Sequence, residues 1–93
     1  MKAMLHIQKG LIEMTIGEAI AQRIIKLCEQ YQITPNKLST ISGITQSTIN
    51  NIINTGSNNP TISTVKKICD GLEITLAEFF DDELFTSLEQ EVK

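Results

Sequence analysis

Residues 34–53 read Thr34-Pro35-Asn36-Lys37-Leu38-Ser39-Thr40-Ile41-Ser42-Gly43-Ile44-Thr45-Gln46-Ser47-Thr48-Ile49-Asn50-Asn51-Ile52-Ile53. Thr34 can cap a helix through its hydroxyl, and Pro35 suits the first helical position, where a missing N–H costs nothing. Leu38 and Ile41 are three apart and share a face, while Ser39 between them is small enough to admit a neighbouring helix. Gly43 stops this helix, because glycine takes positive φ without a Cβ clash. Ile44 is expected to turn back into the core and Thr45 to cap a second helix, whose apolar side is Ile49, Ile52 and Ile53. Gln46, Ser47, Asn50 and Asn51 are left on its other faces, as hydrogen-bonding groups without charge.

Further helices flank this pair. Thr15-x-x-Glu18 forms a capping box, after which Ile16, Ile20, Ile24, Leu27 and Tyr31 recur at helical spacing until the chain turns within Gln30 to Ile33. Asn54-Thr55-Gly56-Ser57-Asn58-Asn59-Pro60 is a loop of turn formers. A fourth helix is predicted from about Thr61 to Asp70 with Ile62, Val65, Ile68, Cys69 and Leu72 inward, Lys66 and Lys67 nearer solvent, and Gly71 closing it. A fifth opens with the capping box Thr75-x-x-Glu78, and Leu76, Phe79 and Phe80 supply its apolar side. Leu84, Phe85 and Leu88 prolong that side, since 76, 80, 84 and 88 are each four apart. This stripe holds more apolar surface than a lone terminal helix needs. It either folds back on its own core or meets a second copy, and a dimer contact is the reading preferred.

The expected fold is all-α: a compact five-helix domain over residues 14–82 with a C-terminal helical extension, residues 83–93 forming an acidic tail. Residues 1–13 precede it as an extension with no assigned role. There, Gln8-Lys9-Gly10 lies between two apolar runs and could turn a short hairpin, and Met14 would also serve as a start.

Taken over roughly Thr15 to Phe80, the chain resembles the Cro/lambda-repressor type of helix-turn-helix domain, also called the xenobiotic-response-element family. The resemblance is carried by Ser39, Gly43 and Ile49, by Pro60-Thr61 opening a helix and Gly71 closing it, and by Ile74-Thr75-Leu76 before Phe79. It implies a five-helix fold that binds double-stranded DNA, with the helix Gln46 to Ile53 as the reader. Two departures are visible. The family commonly pairs Arg at the position of Cys28 with Glu at the position of Ile53, and both are apolar here; losing both together is sensible, because one buried charge left alone is far costlier than a packed apolar pair. Pro35 stands where the family often has a phosphate-contacting glutamine.

Amide side chains can make paired hydrogen bonds to a base edge, and residues near the start of a reading helix reach deepest into the major groove. Gln46, Ser47 and Asn50 are therefore the candidate base contacts. Thr45, Asn51, Lys37, Asn54 and Asn58 are the candidate phosphate contacts, helped by helix N-termini. Readers of this kind gain affinity by engaging two half-sites, which is a second reason to expect a homodimer.

Composition bounds the alternatives. Ninety-three residues suffice for one domain, and the 41% apolar content is mainly aliphatic, with three Phe, one Tyr and no Trp. No run of about 18 apolar residues is present and no secretory signal is evident, so the expected location is cytoplasmic. Cys28 and Cys69 fit a reducing compartment as small buried hydrophobes, and with His6 they complete no zinc site. No metal or cofactor is expected.

The net charge of −3 and pI near 5.0 are unusual for a nucleic-acid binder. Charge is segregated, however: residues 1–69 hold seven basic against three acidic side chains, and residues 70–93 one against eight. A positive reading module could face DNA while the acidic end points away. The competing reading is a protein-interaction or antitoxin-type module of the same fold. Enzymatic function is not expected, since there is no Ser-His-Asp set, no recognisable carboxylate pair and no glycine-rich phosphate loop.

Overall fold

The computed structural model describes residues 14–55 and 59–92. The hairpin considered within residues 1–13 lies outside the described residues, as does the loop segment 56–58. Five α-helices follow in order: α1 Ile16–Tyr31, α2 Pro35–Ser42, α3 Gln46–Thr55, α4 Ile62–Leu72 and α5 Leu76–Phe80, with a 3₁₀ turn at Glu83–Phe85. The fold is all-α, and an isolated bridge between Met14 and Leu88 is its only extended pairing among the described residues.

Three of the connections repeat one device. Gln32-Ile33-Thr34, Gly43-Ile44-Thr45 and Glu73-Ile74-Thr75 each begin with a residue in the left-handed region, at φ of 56°, 67° and 59°. In each, the following isoleucine N–H donates to a carbonyl five residues back: Ile33 to Cys28 at 2.9 Å, Ile44 to Ser39 at 3.1 Å and Ile74 to Cys69 at 2.9 Å. Each of these isoleucines packs on the core. The threonine then caps the next helix, its hydroxyl accepting from the N–H of Lys37, Thr48 or Glu78 at 3.0–3.2 Å. One tripeptide thus satisfies the end of one helix, anchors the turn and starts the next.

The core gathers Ile20, Ile24, Leu27 and Cys28 of α1, Leu38 of α2, Ile49 and Ile52 of α3, Val65, Ile68, Cys69 and Leu72 of α4, and Phe79 of α5. Three residues expected in it lie outside. Tyr31 is 41% exposed because the core on α1 stops at Cys28, and Ile62 is 65% exposed because it precedes the first buried residue of α4 by a full turn. Ile41 is 36% exposed. The buried arc of α2 centres between Leu38 and Ser39, and Ile41 lies roughly 110° around from that centre at about 100° per residue.

Gly71 does not close α4; it lies inside the helix, and Glu73 takes the left-handed cap. Its role is clearance. A Cβ there would stand 2.7 Å from Ser42 Oγ and 2.9 Å from the Ile41 carbonyl oxygen, so the missing side chain lets α4 press onto the end of α2. That contact fixes the base of the turn between α2 and α3.

The apolar stripe at 76, 80, 84 and 88 does not continue as one α-helix. Asp81 leaves helical geometry at φ −83°, ψ 74°, and Asp82 accepts from the Leu84 N–H at 2.9 Å to start the 3₁₀ turn. The chain then folds back along α1. Phe85 meets Phe80 edge-to-face with ring centres 4.9 Å apart and lies 6.2 Å from Phe79, and the Glu89 N–H donates to the Met14 carbonyl at 3.0 Å. Leu84, Phe85 and Leu88 are half-buried by their own subunit. Of the two fates expected for the stripe, the chain shows folding back on its own core, which leaves Leu76, Phe80, Leu84 and Leu88 each still partly exposed.

Arg23 holds this end together. It is 9% exposed; its Nε donates to the Phe79 carbonyl at 2.6 Å and Nη2 to the Glu78 carbonyl at 2.9 Å, satisfying the last turn of α5. Nη1 reaches Asp82 at 3.3 Å, where Lys26 Nζ also bonds at 2.7 Å.

Candidate nucleic-acid interface

α2 and α3 are set by the Gly43-Ile44-Thr45 turn, and α3 is held from behind by α1. Ile49 and Ile52 are buried and Ile53 half-buried. At about 100° per residue, Ser47, Asn51 and Asn54 project opposite those isoleucines, and Gln46 and Asn50 flank them one turn apart. All five are exposed, as are Thr45 and, on α2, Lys37. Asn58 lies outside the described residues. The structure therefore brings Gln46, Ser47, Asn50, Asn51 and Asn54 onto one helix surface, with Thr45 at its start.

The hydroxyls at that start engage one another. Thr45 Oγ1 accepts from the Thr48 N–H at 3.2 Å, donates to Thr48 Oγ1 at 2.9 Å, and lies 3.3 Å from Ser47 Oγ. This orders the first turn of α3 and leaves the amides as its groups of longest reach.

The electrostatics differ from the expected segregation. Arg23 and Lys26 turn to Asp82, and Lys66 pairs with Asp70 one turn along α4. Three cations of residues 1–69 are thus matched with acids from the C-terminal part, which leaves Lys37 on α2 and Lys67 on α4 as exposed cations outside these pairs among the described residues. The hydrogen bond from Lys26, with that from the Leu84 N–H, holds the Asp82 carboxyl below the usual carboxylate range against a small desolvation cost. Burial pushes both the Cys28 and Cys69 thiols up, with the neighbouring Glu29 and Asp70 adding to it.

With the helix pair, its turn and its exposed polar face in place, comparison with known families is decisive: a model of the Cro/C1-type HTH DNA-binding domain matches residues 23–84. The chain belongs to the Cro/C1-type helix-turn-helix family. The match runs from Arg23, midway along α1, through α2, α3, α4 and α5 to Leu84 in the 3₁₀ turn. No curated protein and no solved structure matches the chain. Family membership makes this a DNA-binding domain. Of the two departures from the family pattern, Cys28 is 6% exposed in the core and Ile53 is half-buried on α3, packed against the core cluster.

Arg23 is the residue that sequence reasoning missed. Its signal was its register, three residues after Ile20 and four before Leu27 on the apolar side of α1, where a charge needs a buried partner. Among the described residues no three His, Cys, Asp or Glu side chains gather as a metal site, and no helix there is long and apolar enough to cross a membrane.

Proposed function

We propose that this protein is a sequence-specific DNA-binding regulator of transcription, located in the cytoplasm, which lays α3 in the major groove. Gln46, Ser47 and Asn50 contact base edges. Thr45, Asn51, Lys37, Asn54 and Asn58 meet phosphates, together with backbone N–H groups at the helix starts. The observation that carries this reading is the exposed, uncharged amide face of α3 in a domain of this family. Two subunits on two half-sites belong to the same proposal.

Fluorescence polarisation with random duplex DNA tests the class of function. Weak binding at about 20 mM salt that fades as salt rises supports it, because non-specific affinity is carried by phosphate charge. Absence of binding at that salt would leave the protein-interaction module, the reading favoured by the net charge of −3. On its best site, Gln46→Ala should cost about 1–3 kcal/mol of base discrimination.

A further inference from the structure

We propose that the half-site is built on A·T pairs, with the N6/N7 edge of adenine as the feature recognised; this rests on α3 being the groove-reading helix. In the major groove guanine offers two acceptors, N7 and O6, which match the paired donors of Arg or Lys. Adenine offers an acceptor at N7 and a donor at N6, which match one amide side chain. Cytosine N4 calls for a carboxylate acceptor.

The residues of α3 sort cleanly against that code. Gln46–Thr55 holds no Arg, Lys, Asp or Glu, so it lacks both the guanine-matching and the cytosine-matching groups. The sequence contains one arginine, Arg23, and its guanidinium is committed to the Phe79 and Glu78 carbonyls and to Asp82. No guanidinium is therefore left to reach a base from any other element. Lys37 lies on α2, before the turn.

The matching groups for adenine are, by contrast, present and available. Gln46 and Asn50 are exposed. Whereas the Thr45, Ser47 and Thr48 hydroxyls satisfy one another, no hydrogen bond among the described residues engages these two side-chain amides.

The test is selection from a randomised duplex library by the full chain at about 50 mM salt, followed by affinities on the selected site and its variants. The expected site carries A·T pairs at the positions facing α3, and changing one to G·C should weaken binding roughly 5- to 150-fold. Replacing adenine by 7-deazaadenine, which keeps the base pair and removes N7, should weaken binding at the same positions. Gln46→Arg should move the preference at one position from adenine to guanine. Retained guanines facing α3, indifference to 7-deazaadenine, or binding without base preference would each overturn the A·T assignment while leaving DNA binding intact. Absence of any binding at low salt would instead remove the underlying reading, and the assignment with it.

Discussion

Replacing Arg23 with methionine should destabilise the domain by about 2–5 kcal/mol, because the change strands the Phe79 carbonyl at the end of α5 and takes the charged donor from the Glu78 carbonyl, which keeps only the Asp81 N–H at 3.3 Å. Hydrogen bonds from a charged donor contribute about 1.5–3 kcal/mol each, and Arg23 makes two to the Phe79 and Glu78 carbonyls at 2.6 and 2.9 Å. The third, to Asp82 at 3.3 Å, adds little because Lys26 remains on the same oxygen at 2.7 Å. Methionine keeps most of the apolar stem and so recovers about 1 kcal/mol of packing. A loss of that size is a large share of the stability of a small domain, about 5–15 kcal/mol. Urea unfolding followed by far-UV circular dichroism should show the midpoint falling by roughly 1–3 M at unchanged slope. In a double-mutant cycle with Asp82→Asn, the coupling should be the smaller part of the total. A loss below about 1 kcal/mol would refute the assignment of Arg23 as the clasp of α5.

The pH dependence follows from Asp82, whose carboxyl is held below its usual range chiefly by the Lys26 hydrogen bond. Its contribution is complete above the unfolded value near pH 4 and is lost as pH falls through the lower folded value, so wild type and Asp82→Asn should converge in urea titrations toward pH 3. Glu73→Gly should stabilise by about 0.5–1 kcal/mol in thermal melts, since glycine relieves the left-handed cap at a smaller entropic cost. Gly71→Ala should destabilise by about 1–2 kcal/mol despite alanine's helix preference, because its Cβ meets the Ile41 carbonyl. Ile53→Glu should cost about 1–3 kcal/mol, and adding Cys28→Arg should restore part of it; additive losses in the double mutant would show that the two positions do not couple.

The helices were legible because their starts are chemically marked. Thr15, Thr34, Thr45, Thr61 and Thr75 all cap as threonines before an apolar period should, and Pro35 and Gly43 frame α2 as expected. The helix ends were less so. Gly71 reads as a stop because glycine is the usual left-handed residue, yet the cap falls on Glu73, and only the recurrence of x-Ile-Thr at Ile33, Ile44 and Ile74 marks it. The tail misled for a different reason: spacing of four predicts a helix wherever the backbone stays helical, and Asp81 and Asp82 divert it through their own hydrogen bonds. For the interface, exposure of Gln46, Ser47, Asn50 and Asn51 followed from the isoleucine register of α3, whereas Asn54 and Thr55, which read as loop from their turn-forming side chains, are the last residues of that helix. The pairing of Arg23, Lys26 and Lys66 did not, because it joins side chains through tertiary contacts and rotamers that a count of charges cannot contain.

The central question is whether α3 reads base edges through its amides while few charges hold the backbone. Affinities of the wild type and Gln46→Ala for a selected site and for random duplex, measured across a salt series, test it most directly. The prediction is a salt slope of about −2 per subunit on either DNA, as expected for roughly two phosphate charges at about 0.9 each. The variant should lose about 1–3 kcal/mol on the selected site and nothing on random duplex, with its unfolding curve unchanged. Equal affinity of the two proteins for the selected site, or a slope near −10, would contradict it.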